Sequence, residues 1–214
     1  MNETPNRRPL ASRQTSWAAA LTRRLAATSI TPNQISMLGM VAALIAGLAL
    51  WGAGSLDGAG RIILLLIGAI GVQTRLLCNL LDGMVAIEAG RKSPDGAFWN
   101  EFPDRVSDAL IILGFALGIG QPALGWAAVA LAFLTAYVRE LGVGCGAPAD
   151  YSGPMAKPHR MALITGAIVL TVFAPLFGWR DQILTAALWV LVIGTAATVL
   201  RRCLNLLRKL QARD

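Results

Sequence analysis

Residues 79–108 read NLLDGMVAIEAGRKSPDGAFWNEFPDRVSD, a polar island between long apolar runs. Asn79 and Asp82 stand three apart and fall on one face of a helix. Asn100, Asp104 and Asp108 repeat every four residues and share a face of a second helix. Gly83, Gly90, Pro94 and Gly96 predict a turn between them. Two antiparallel helices then bring the polar faces together. Converging oxygen donors of this kind suit a hard divalent cation, Mg²⁺ or Mn²⁺. In a soluble protein the same facing acids read equally well as a buried polar network. Beside membrane-spanning helices, acids are costly and mark function.

The flanks are of that membrane kind. Of 214 residues, 55% are hydrophobic and only 14% charged, with a mean hydropathy of +0.58. That excludes an ordinary soluble composition. The apolar runs predict an all-α integral membrane protein with six spans, at about Gln34–Trp51, Arg61–Glu88, Ala97–Ile119, Ala123–Gly142, His159–Phe177 and Gln182–Leu200. Thr31-Pro32-Asn33 is a helix start, with Thr31 as N-cap and Pro32 in the first turn. Gly39, Ala43 and Gly47 form a small-residue face that permits close helix contact, and Gly114 and Gly118 form another. Such faces serve either packing within the chain or a homodimer. The second span exceeds the ~20 residues a bilayer core needs, so Asn79 and Asp82 fall near the interface. Trp17, Leu21 and Leu25 recur every four residues beside Arg23 and Arg24, the pattern of an amphipathic helix on the membrane surface. The expected organisation is a disordered polar tail over 1–15, this surface helix over 16–28 and a six-span domain over 29–214. No apolar stretch follows the tail directly, which argues against a signal peptide.

The net charge is +7. Six spans put both termini on one side. All of the 19 basic residues except Arg61, Arg75, Arg105 and Arg180 fall on that side. The positive-inside rule then places both termini and the loops 88–96 and 143–158 in the cytoplasm, with the inner (plasma) membrane of a bacterium as the expected location. The basic excess is topological and no nucleic acid is expected, since the aromatic–basic repeats of single-strand binders are lacking. Three cysteines without a CxxC pair argue against a disulfide scaffold, and Cys78 reads as a packing residue. His159 has no partner histidine, which argues against zinc. Arg75 and Arg105 lie within spans. Arg75 is one turn deeper than Asn79, and Asp108 one turn deeper than Asp104, so Arg75 and Asp108 are expected to pair, each relieving the other's desolvation cost.

The spacing of the island resembles the membrane CDP-alcohol phosphotransferases, whose pattern is D-x2-D-G-x2-A-R, about eight residues, then G-x3-D-x3-D. Here Asn79-x2-Asp82-Gly83-x2-Ala86-Ile87 is followed, after residues 88–95, by Gly96-x3-Asn100-x3-Asp104. The six-span layout and the N-terminal amphipathic helix also resemble that family, so the likeness covers most of the chain. It implies a displacement at phosphorus in phospholipid synthesis: an acceptor alcohol attacks the phosphate of a CDP-alcohol, CDP-diacylglycerol by expectation, and CMP leaves. It implies Asn79, Asp82, Asn100 and Asp104 as the metal positions, Asp104 as general base, and Gly83, Ser93 and Gly96 at the nucleotide. Three positions depart from the pattern. Asn79 and Asn100 replace aspartates and Ile87 replaces arginine. Asparagine keeps an oxygen but loses the charge on which Mg²⁺ sites lean, leaving either one strongly held cation or a second that arrives with substrate. Arg91 and Lys92 are the nearest charges to replace that arginine. The base position is intact, which favours a variant subfamily of enzymes over a catalytically weak relative acting as a lipid-binding scaffold. A small transporter would carry its acids near the bilayer midplane, unlike this island.

A second informative stretch is Ser152-Gly153-Pro154-Met155-Ala156-Lys157-Pro158-His159-Arg160. Lys157 and Arg160 stand three apart at the cytoplasmic start of the fifth span. Such a pair binds either an anionic acceptor, such as a polyol phosphate, or the anionic headgroups around the helix end. Arg105, beside the base position, and Arg139 join the acceptor candidates, although Arg139 and Glu140 also suit a local ion pair.

Overall fold

The computed structural model describes residues 15–90 and 94–212, and every regular element among them is a helix. The helices are α1 (Ser16–Ala26), α2 (Pro32–Ala53), α3 (Gly58–Glu88), α4 (Gly96–Gly118), α5 (Pro122–Gly144), α6 (Lys157–Phe173), continued by a 3-10 turn at Ala174–Phe177, and α7 (Gln182–Gln211). The polar tail, Arg91, Lys92 and Ser93 lie outside the described residues. Two compact units divide the chain after Gly118, one holding α1–α4 and the other α5–α7.

In the first unit the expected helix start is a full capping box. Thr31 N–H donates to Gln34 Oε1 at 2.9 Å, and Gln34 N–H donates to Thr31 Oγ1 at 3.2 Å. From there α2 packs along both α3 and α4. A Cβ on Gly114 would lie 2.1 Å from the carbonyl oxygen of Gly47, and one on Gly54 would lie 2.2 Å from that of Gly118. The two backbones touch, the close approach that small residues allow in lipid. Gly47, Gly54, Gly114 and Gly118 thus serve packing within the chain. On the other flank, Leu21 and Leu25 of α1 pack on a cluster of Ile35, Cys78, Leu81 and Val85, where Cys78 is a core residue as expected.

In the second unit α5 and α6 both pack on α7. The last helix runs 11 residues past the expected end at Leu200. Hydropathy falls at Arg201 and Arg202, but Arg, Leu, Lys and Gln are all good helix formers, and neither Gly nor Pro interrupts 195–211.

Among the described residues five helices are long and apolar enough to cross a membrane: α2, α3, α5, α6 with its 3-10 turn, and α7. The expected sixth, α4, has 23 residues but carries Glu101, Asp104, Arg105 and Asp108. Large apolar side chains such as Leu38, Ile45, Ile70, Leu170, Ile193 and Leu200 are exposed, a surface suited to lipid and not to water. The 31 residues of α3 span about 46 Å. That exceeds a hydrocarbon core of about 30 Å.

Candidate active site

The polar island folds into the C-terminal turns of α3 and the N-terminal turns of α4. Asn79 Nδ2 donates to Asp104 Oδ1 at 2.9 Å, so the two motif halves meet at this level. Asp82, one turn from Asn79, accepts from Ser36 Oγ of α2 at 2.8 Å and from the Gly83 N–H at 2.6 Å. Asp82 and Asp104 are each only 7% exposed, and each carboxylate feels the charge of the other. Two buried like charges are costly unless a cation or strong donors compensate them.

Compensation within the chain comes from Arg75. Its guanidinium, 1% exposed, forms an ion pair through Nη2 with Asp104 Oδ1. This corrects the expected pairing with Asp108. Arg75 lies one turn before Asn79 on α3, and an arginine stem reaches across a helical turn of about 5.4 Å. The turn it reaches toward holds two carboxylates. Gly39 makes room for it, since a Cβ there would stand 3.3 Å from both Cδ and Nη1 of Arg75. Asp108 is buried one turn further along α4. Arg105 lies 3.5 Å from Glu101 and 3.7 Å from Asp104 Oδ2.

Not every motif position joins this cluster. Asn100 is exposed and its Nδ2 lies 3.4 Å from Glu101 Oε1. Gly96 opens α4. Ile87 is exposed. As a seat for a hard cation the residues present fit in kind, since two buried carboxylates and the amide of Asn79 are oxygen donors. Among the described residues no group of three or more His, Cys, Asp or Glu side chains gathers, so a cation here draws on the amide oxygen as well.

The second unit holds a separate basic cluster. Arg139, Lys157, Arg160 and Arg202 are all buried. The loop 145–156 is strapped onto neighbouring helices by that cluster. Arg202 donates from Nε to the Ser152 carbonyl at 2.9 Å and from Nη1 to the Thr135 carbonyl at 2.6 Å. Arg160 Nη1 donates to the Met155 carbonyl at 3.1 Å, and the Met155 N–H donates to Thr198 Oγ1 at 2.9 Å. Arg139 makes the expected local pair with Glu140 at 2.8 Å and also lies 5.3 Å from the Tyr151 ring centroid. Arg139, Asp150, Arg202 and Lys209 line one pocket. Burial costs the Asp150 carboxylate, yet hydrogen bonds from Ser152 and Asn205 and the charge of Lys209 hold it below the usual range. Sequence patterns did not single out Ser36 or Arg202. A serine within an apolar run and an arginine at the edge of a basic tail carry no motif signal.

No protein-family model matches the chain. Over 206 residues it is 27% identical to the phosphatidylinositol phosphate synthase of Streptomyces avermitilis, covering 91% of this chain and 78% of that protein. Over 181 residues it is 28% identical to the inner membrane protein YnbA of Escherichia coli, covering 83% and 85%. Its fold matches the crystal structure of Mycobacterium tuberculosis phosphatidylinositol phosphate synthase with CDP-DAG bound, at a TM-score of 0.74 and 22% identity over 90% of this chain and 94% of that one. The same enzyme in complex with manganese and citrate matches at 0.73 and 22% identity, over 88% of each chain.

Proposed function

The chain belongs to the CDP-alcohol phosphotransferase family, and from that premise we propose that it transfers a phosphatidyl group from CDP-diacylglycerol to an acceptor alcohol, releasing CMP, in phospholipid synthesis. The observation that carries this reading is the meeting of Asn79, Asp82 and Asp104 in one buried cluster, from the two halves of the spaced motif. Asp82 and the amide oxygen of Asn79 would hold Mg²⁺ or Mn²⁺ beside Asp104, and the ion would neutralise and orient the pyrophosphate. Asp104 takes the proton of the acceptor hydroxyl as its oxygen bonds to the lipid-bearing phosphorus. The phosphorus–oxygen bond to CMP breaks in the same displacement. Gly83 and Gly96 face the nucleotide in this reading, and Ser93 is assigned to it by motif position alone.

The acceptor itself carries a phosphate. Lys157 and Arg160, buried at the start of α6, support this reading, because ammonium and guanidinium groups are suited to phosphate recognition. An inositol phosphate is the first candidate, by the name that the relatives share. The protein spans the bacterial inner membrane six times. α4 is the sixth span, as its Asp104 and Asp108 are buried and not turned to lipid. The amphipathic helix α1 lies on the surface through the exposed Trp17, and both termini are cytoplasmic.

A second reading, a lipid-binding scaffold, is favoured by one observation: Asn100 stands outside the cluster. Incubation of the detergent-purified protein with CDP-diacylglycerol, Mn²⁺ or Mg²⁺, and glycerol, glycerol phosphate, serine, inositol or inositol phosphate separates the two. Metal-dependent CMP release with a new lipid by mass spectrometry, lost in Asp104→Asn, supports the enzyme. Silence with every acceptor, relieved only by Asn79→Asp with Asn100→Asp, supports the scaffold.

A further inference from the structure

The hydrogen-bond pattern around Asp104 says how many cations the site is built for. Asp104 Oδ1 accepts from two donors at once, the Asn79 amide at 2.9 Å and the Arg75 guanidinium. An ionised carboxylate only accepts, so the amide nitrogen of Asn79 has to face it and the amide oxygen has to face away. Asn79 and Asp104 therefore do not offer oxygens toward a common point between them. An acid at 79 would do so, and its repulsion with Asp104 would call for an ion at that point. The asparagine replaces that ion with a hydrogen bond.

Arg75 supplies the charge. It is buried, it is seated in the space left by Gly39, and its Nε and Nη1 have no hydrogen-bond partner among the described residues. Asp82 and Asp104 carry two negative charges and Arg75 returns one positive charge. One divalent cation takes this trio from −1 to +1, and two would take it to +3. A second would sit against a fixed guanidinium in a site of low dielectric, where like charges repel strongly. We infer that the site binds a single divalent cation, on Asp82 with the Asn79 amide oxygen, and that Arg75 serves Asp104 as a built-in monovalent cation where a second ion would otherwise lie. This deepens the enzyme reading and rests on it.

The test is Mn²⁺ binding to the purified full-length protein in detergent, followed by titration and electron paramagnetic resonance. The expected result is one saturable Mn²⁺ per chain with the uncoupled six-line spectrum of a mononuclear ion, lost in Asp82→Asn. The double variant Arg75→Met with Asn79→Asp should take two Mn²⁺ with a spin-coupled spectrum. Two coupled ions in the unaltered protein would overturn the inference while leaving the enzyme reading intact. So would retention of the ion by Asp82→Asn. Absence of saturable Mn²⁺ together with absence of CMP release would overturn both.

Discussion

The amide of Asn79 on α3 donates to the carboxylate of Asp104 on α4 at 2.9 Å, and this one bond joins the two halves of the motif. Charge at either end changes its sign from attraction to repulsion. Asn79→Asp should lower the stability of the metal-free protein by about 1.5–3 kcal/mol, the scale of a hydrogen bond to a charged group. Mn²⁺ should restore much of that loss. Thermal unfolding in detergent with EDTA and with Mn²⁺ measures both.

Removal of Arg75 leaves Asp104 buried without its ion-pair partner. Arg75→Met should cost about 3–5 kcal/mol in stability, as expected when one member of a buried pair is deleted. Arg75→Lys should recover part of it, because it restores the charge without the guanidinium. The same unfolding assay reports the difference.

The glycines of α2 and α4 should differ sharply in tolerance. Gly114→Ala forces a Cβ to within 2.1 Å of a backbone carbonyl, whereas nothing lies within 4 Å of a Cβ on Gly166 in α6. The first should destabilise by about 3 kcal/mol or more through overpacking of rigid backbone. The second should stabilise by roughly 0.5–1 kcal/mol through helix propensity. Gly39→Ala lies between, since its neighbours are the flexible Arg75 stem and the Cys78 Cβ at 3.1 Å. Melting temperatures of the three variants, taken in parallel, check the order.

Lys157→Ala and Arg160→Ala should raise the KM for a phosphate-bearing acceptor by about 10–100-fold, the scale of lost charge-assisted hydrogen bonds. The KM for CDP-diacylglycerol should stay unchanged. Steady-state kinetics with each substrate varied in turn separates the two. Equal changes in both would remove these residues from the acceptor pocket.

Asp150 gives a pH dependence with a definite sign. Its carboxyl is held below the usual range by Ser152, Asn205 and Lys209 against the cost of burial. A depressed folded value contributes stability above the unfolded value of about 3.9, and that contribution is lost as pH falls through the folded value. Unfolding curves should therefore slope downward toward acid below about pH 4. Asp150→Asn should flatten the part of the slope below about pH 4.

The hairpin, the N-cap at Thr31 and the helices α2, α3, α5 and α6 were legible in the sequence because each rests on local periodicity or capping chemistry. What local pattern does not encode is which side chain of one helix meets which of another. Ser36 reaches Asp82 across 46 positions, and an isolated serine in an apolar run gives no sign of it. Arg75 pairs with Asp104 and not with Asp108, because helix position fixes the backbone while the long side chain chooses its level by charge. The end of α7 was missed for another reason. Hydropathy marks where lipid stops, whereas backbone hydrogen bonding decides where the helix stops. Arg202 lies between those two limits and ties the 145–156 loop.

The pair formed by Arg75 and Asp104 also bears on biogenesis. During synthesis α3 leaves the ribosome before α4, so its arginine reaches the insertion machinery before any carboxylate is available to it. An arginine at the centre of an inserting helix costs roughly 2.5–3.5 kcal/mol on insertion scales. Partition of α3 into lipid is thus favoured once the following segment brings Asp104 to its arginine.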